Sequence, residues 1–120
     1  MRSVLIVDDH GPFRAVVRRM LERDGFSIVG EAADAGTALA AVRALRPDVV
    51  LLDVNLPDED GFAVCERLQD LPSVPAVVLT SSHEIASFRR RLRSSRALGF
   101  ISKRDLTSAA FASLLDGAQG

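Results

Sequence analysis

The stretch SVLIVDDH, residues 3–10, is apolar at positions 4–7 and then stops on two adjacent carboxylates, Asp8 and Asp9, with His10 next. The apolar run has the length and composition of a buried strand. Two carboxylates about 4 Å apart repel by roughly 4 kcal/mol at an effective dielectric near 20. A chain that closes a core strand on such a pair invites a chemical reason for it.

Four more apolar runs follow, at residues 27–32, 49–52, 76–79 and 98–101. Their hydrophobicity is continuous rather than alternating, the mark of strands covered on both faces as in a parallel sheet. Helical patterns separate them. Phe13, Val16, Val17, Met20 and Leu21 fall on one face of a first helix, with Pro12 in its opening turn and Gly25 as a left-handed cap after its end. A second helix covers 35–45, turns Leu39, Val42 and Leu45 inward and stops before Pro47. A third starts near Gly61 and carries Phe62, Val64, Cys65 and Leu68. A fourth spans 83–93 with Ile85, Phe88 and Leu92 on one side. The fifth runs from Asp105 as N-cap through Leu106, Ala110, Phe111 and Leu114. Strict alternation over five units predicts an α/β fold, an open parallel sheet with helices on both faces.

The 120 residues suit a single domain, with a core over about 2–116 and a frayed tail at 117–120. Net charge is −1, so no global field draws the chain to nucleic acid or to an anionic membrane. No segment reads as a signal peptide or approaches the roughly 18 apolar residues of a membrane span, and the expected location is cytoplasmic. The single cysteine, Cys65, sits among apolar neighbours as a small buried hydrophobe.

In open α/β sheets, ligands bind beyond the carboxyl ends of the strands, where strand order reverses. Strand one ends in Asp8 and Asp9, strand three in Asp53, strand four in Thr80, and Lys103 follows strand five. Strand two ends in Ala32 and Ala33 and offers no reactive group, as an edge strand would. Three carboxylates at one pole call for a cation, and hard oxygen ligands suit Mg²⁺. A hydroxyl and an ammonium beside such a cation would receive a phosphoryl group, and a carboxylate can itself be the acceptor, giving an acyl phosphate. The chain has fourteen arginines but one lysine, Lys103. A compact point charge on a flexible stem does there what a planar guanidinium does less well.

The segments VDDH followed by FR, then LLDVNLPDEDGF, VVLTS and GFISK, resemble in order and spacing the receiver domains of two-component response regulators. The likeness covers residues 2–116, and DHGPFR is similar to the NarL/FixJ-like branch. The resemblance implies the strand order 2-1-3-4-5. It implies Asp53 as phosphoacceptor, charged by a sensor histidine kinase or a phosphotransfer protein. It implies a metal held by Asp9, by Asp8 largely through water, by Asp53 and by the backbone carbonyl of Asn55; that metal is Mg²⁺, for which Mn²⁺ could substitute. Thr80 and Lys103 would bind phosphoryl oxygens, and Phe100 would be the aromatic switch. Pro57 and Gly61 match the loop after the acceptor. Ser81 departs from the family's usual Ala or Gly, which would slow phosphoryl entry slightly.

Simpler readings compete at several positions. His10 opens the loop into the first helix, and His83 has no ligand partner at helical spacing. The run RRRLRSSR at 89–96 is first of all a solvated helix face; Arg89, Arg90 and Arg93 are also candidates for an output face, since receivers signal through their fourth helix, fifth strand and fifth helix. A haloacid-dehalogenase-type phosphatase also uses a strand-end Asp with Thr, Lys and paired acids. Here DVN lacks the second acid of the DxD motif, and the paired acids precede the nucleophile, so a turnover enzyme is not expected. Two outputs stay open: a phosphorylation-dependent contact with an acidic partner or a second copy, or control of a helix-turn-helix beyond this chain. Neither needs these residues to bind nucleic acid, and neither involves a membrane.

Overall fold

In the computed structural model, which describes residues 2–117, the apolar runs become β1 (Ser3–Val7), β2 (Ser27–Ala32), β3 (Val49–Asp53), β4 (Ala76–Ser81) and β5 (Gly99–Ser102). They form one parallel sheet in the order β2-β1-β3-β4-β5, as expected. Between them lie α1 (Gly11–Arg23), α2 (Ala35–Leu45), α3 (Gly61–Leu68), α4 (Arg89–Ser94) and α5 (Ser108–Gly117). Gly117 closes α5; the rest of the expected tail, 118–120, lies outside the described residues.

Alternate side chains of each central strand go to opposite faces, which makes two cores. Val4 and Ile6, with Val49, Leu51 and Val78, pack against Val17 and Leu21 of α1 and Phe111 and Leu115 of α5. Leu5 and Val7, with Val50, Leu52 and Leu79, pack against Ala38, Leu39 and Val42 of α2 and Phe62, Cys65 and Leu68 of α3. The double coverage explains why the strands read as continuous apolar runs. Asp34 caps α2 by accepting the Thr37 N–H at 2.8 Å, and Asp60 caps α3 by accepting that of Phe62 at 2.7 Å. Gly25 takes a positive φ of 97° after α1, and Pro12 lies in its first turn.

Four local expectations are corrected. Val16 is 65% exposed, because only the narrow stripe through Phe13, Val17, Met20 and Leu21 faces the sheet. Leu45 is 45% exposed at the end of α2, where it reaches over Gly30 of the edge strand; a Cβ on Gly30 would stand 3.0 Å from it. The fourth helix is not continuous over 83–93. A single 3₁₀ turn at Ile85–Ser87 precedes a six-residue α4 that buries no residue fully. Ile85 is exposed, so Phe88 and Leu92 are the apolar anchors of this segment, and like charges at Arg89, Arg90 and Arg93 oppose a longer helix. Asp105 does not cap α5. It ends a 3₁₀ turn and accepts the Ser102 hydroxyl at 2.8 Å, while Thr107 Oγ1 accepts the Ala110 N–H at 3.0 Å.

Candidate functional site

Ordinary sheet register brings the strand ends together. Asp53 is the last residue of β3 and pairs with Thr80 of β4, which pairs in turn with Ile101 of β5. Asp8 and Asp9 follow directly on β1, beside β3. Carboxylate oxygens of Asp8, Asp9 and Asp53 lie within 4.8 Å of one another, with Asp8 and Asp53 buried and Asp9 exposed. Lys103, in the turn after β5, puts its Nζ 2.8 Å from Asp8 Oδ2 and 3.5 Å from Asp53 Oδ2. The same ammonium lies 4.5 Å from the centre of the Phe13 ring, so an aromatic face covers its other side.

Asp8 Oδ1 accepts the His10 N–H at 2.9 Å, whereas Oδ2 has no hydrogen-bond partner outside its ion pair with Lys103. Asp53 Oδ1 accepts the Asn55 N–H at 3.1 Å. Thr80 is buried, and its hydroxyl has no partner. Burial pushes the Asp53 carboxyl from its ordinary 3.8 up to about 6; the Asn55 amide opposes the rise, the charge of Asp8 adds to it, and Lys103 opposes it again. Burial works against the Lys103 ammonium, but the Asp8 and Asp53 carboxylates outweigh it and hold its pKa above the ordinary 10.5. The arrangement is therefore a buried carboxylate beside an ammonium, a free hydroxyl and two further acids, with polar valences left over.

The profile of the response regulator receiver domain matches residues 4–111. The chain belongs to that family. A Pseudomonas aeruginosa protein described as a transcriptional regulator is 43% identical over 105 residues, which is 88% of this chain and 51% of that protein. BvgA of Bordetella pertussis, described as a positive regulator of transcription of virulence factors, is 36% identical over 86% of this chain and 49% of its own length. The chain thus spans about half the length of these relatives. Among solved structures, the signal receiver domain of the response regulator NarL from Mycobacterium tuberculosis superposes with a TM-score of 0.84. Its identity is 37%, over 99% of this chain and 97% of that one. The chain is a receiver domain of two-component signalling similar to those of the NarL/LuxR type, and its acidic cluster resembles the receiver metal site.

Of the other residues singled out in the sequence, Phe100 is half-buried, its ring 5.7 Å from that of Phe88. Arg89, Arg90 and Arg93 are exposed on α4, and no ion pair among the described residues engages them. His10 stands at the N-cap of α1, and His83 lies in the loop after β4 with its ring 6.2 Å from Phe88. No helix among the described residues is long and apolar enough to cross a membrane.

Several contacts had no signal in the spacing. Ser81, read as a steric departure, is fully buried, and its hydroxyl accepts from the His83 N–H at 3.1 Å and from Asn55 Nδ2 at 3.3 Å. It ties the loops after β3 and β4 together. Asp58 accepts the N–H groups of Ala35 and Gly36 at the start of α2, and these amides hold its carboxyl below the usual range. Gly61 is required by contact rather than by φ: a Cβ there would lie 2.4 Å from the Asp53 carbonyl oxygen.

Proposed function

We propose that this chain is one receiver unit in which Asp53 accepts a phosphoryl group from a histidine kinase or phosphotransfer protein. The observation that carries the proposal is the meeting of Asp8, Asp9, Asp53, Thr80 and Lys103 from four separate strand ends. A carboxyl near pKa 6 is mostly ionised at neutral pH, as a nucleophile must be. An Asp53 oxygen attacks the phosphorus of a phosphohistidine, and an acyl phosphate forms. The P–N bond breaks with its electron pair going to the ring nitrogen, and the imidazole leaves neutral, keeping the proton on its other nitrogen.

Lys103 has ammonium hydrogens to pair with an oxygen of the transferred group. Thr80 has a hydroxyl with no competing partner to donate to a second. Buried Asp8 Oδ2 has the Lys103 ammonium as its one partner and stands beside two more carboxylates, an oxygen set that fits a hard divalent cation. Asp8, Asp9, Asp53 and the Asn55 main-chain carbonyl would hold Mg²⁺, or Mn²⁺ in its place, which when bound offsets the carboxylate charge and that of the phosphoryl oxygens.

Thr80 drawn toward the phosphoryl group would vacate space for Phe100 to turn inward and so alter the face of α4, β5 and α5. That face would control a transcriptional output, as the descriptions of the longer relatives suggest, or a phosphorylation-dependent homodimer. The chain itself would act in the cytoplasm and without contacting DNA. Incubation with acetyl phosphate and Mg²⁺, read by intact mass and peptide mapping, should add one phosphoryl group to Asp53. EDTA and Asp53→Ala should each abolish it. Labelling that persists in Asp53→Ala would overturn the assignment.

A further inference from the structure

The pair FR after the acidic run has one member, Arg14, that the proposed chemistry leaves unused. Its place in the fold is specific. The Asp8 N–H still joins the sheet, donating to the Ala32 carbonyl of β2 at 3.0 Å. The Asp8 carbonyl lies one residue past the end of β1, beyond the ladder to β3, which stops at Val7 and Leu52. Arg14, from the first turn of α1, donates Nη1 to this carbonyl. Its Nε donates to Glu31 Oε1 at 2.9 Å, and Glu31 Oε2 is held in turn by Arg18 Nη1 at 2.9 Å. The hydrogen bond from Arg18, followed by that from Arg14, holds the Glu31 carboxyl below its ordinary 4.5 against the effect of burial. Arg14 is thus gripped from the β2 edge while its fork reaches the peptide that joins Asp8 to Asp9.

We infer that Arg14 is a positioning residue for the acid pair: anchored on Glu31, it fixes the Asp8–Asp9 peptide and with it the direction of both carboxylates. The inference rests on the reading of Asp8, Asp9 and Asp53 as a divalent-cation site. The guanidinium reaches the two acceptors from separate nitrogens of one rigid plane, Nε to Glu31 and Nη1 to the Asp8 carbonyl, whereas a lysine has all its donors on a single nitrogen. Groups that orient metal ligands from outside typically set affinity by about 10- to 100-fold.

Charge alone makes the opposite forecast. Removing a positive charge held on the Asp8 carbonyl should strengthen Mg²⁺ binding, whereas removing an orienting donor should weaken it, so the sign of the change separates the two roles. A purely structural ion pair between α1 and β2 would lower the melting temperature and leave affinity where it was. Wild type and Arg14→Met are titrated with MgCl₂, following the amide NMR shifts of Asp9 and Asn55, with melting in EDTA recorded alongside. The expected result is a Kd for Mg²⁺ about tenfold weaker in Arg14→Met. An unchanged or tighter Kd would overturn the inference. Should Arg14→Met fail to fold, Arg14→Lys in the same titration keeps the charge but not the fork. Weakening of about threefold supports the inference, and equality with wild type refutes it. A wild-type chain whose Asp9 and Asn55 amides ignore Mg²⁺ would instead remove the cation site on which the inference stands.

Discussion

Asp53→Asn in the metal-free chain tests whether the candidate acceptor is held at a cost to stability. Its carboxyl is almost fully buried, faces Asp8, and has its pKa raised from 3.8 to about 6. Between these values the folded chain holds a proton that the unfolded chain has released, so stability falls as pH rises through that window and then levels off. The shift corresponds to about 3 kcal/mol at about 1.4 kcal/mol per unit, and partial hydration of the site reduces this to about 1–2 kcal/mol. Asparagine keeps an oxygen for the Asn55 N–H, and Lys103 keeps its closer partner, Asp8, at 2.8 Å. In EDTA at pH 7.5 the variant should therefore melt about 4–8 °C above wild type. The gap should close as pH falls below 6 toward 4. Added Mg²⁺ should narrow it again by stabilising wild type through RT ln(1 + [L]/Kd). Thermal melts across this pH range provide the assay. A variant less stable than wild type at pH 7.5 without metal, or a gap that ignores pH, would refute the reasoning.

Thr80→Val removes a buried hydroxyl that has no partner, so it should raise stability by up to about 1 kcal/mol in chemical denaturation while slowing labelling by acetyl phosphate. A loss of stability would show that the hydroxyl is satisfied in solution. Gly61→Ala would press a methyl against the Asp53 carbonyl and to 2.8 Å from Val54 Cα, both rigid backbone, at a cost of about 2 kcal/mol or more; an unchanged denaturation midpoint would contradict this. Burial pushes the Cys65 thiol up to about 11, so a disulfide reagent at pH 8 should react at the rate of unfolding and not faster. Reversing the charge of Arg89, Arg90 and Arg93 should leave stability within about 0.5 kcal/mol, since all three are exposed, yet abolish any phosphorylation-dependent dimer seen by light scattering.

What the sequence determined by itself was the alternation of buried strands and helices and the chemistry at each strand end. Both are local: continuous apolar runs such as 49–52 report double burial, and whatever follows a parallel strand must emerge at the sheet's carboxyl pole. That is why the spacing of Asp8, Asp53, Thr80 and Lys103 in the chain already implies that they share one pole of the sheet. Helix faces were legible only coarsely. Val16 and Leu45 satisfy the helical period yet stand in solvent, because the width of the covered stripe depends on how squarely each helix sits on the sheet. The break of the fourth helix at Phe88 and the cap at Thr107 reflect a balance of weak anchoring, like charges and competing side-chain acceptors that periodicity does not weigh. Contacts between residues far apart in the chain needed the tertiary structure outright. Arg14 meets Glu31 across 17 positions, Asp58 meets Ala35 across 23, and Asn55 meets Ser81 across 26. A side-chain hydrogen bond has no sequence period. It exists only once the sheet order has laid β2 beside β1, and β4 beside β3, and turned their loops toward one pole.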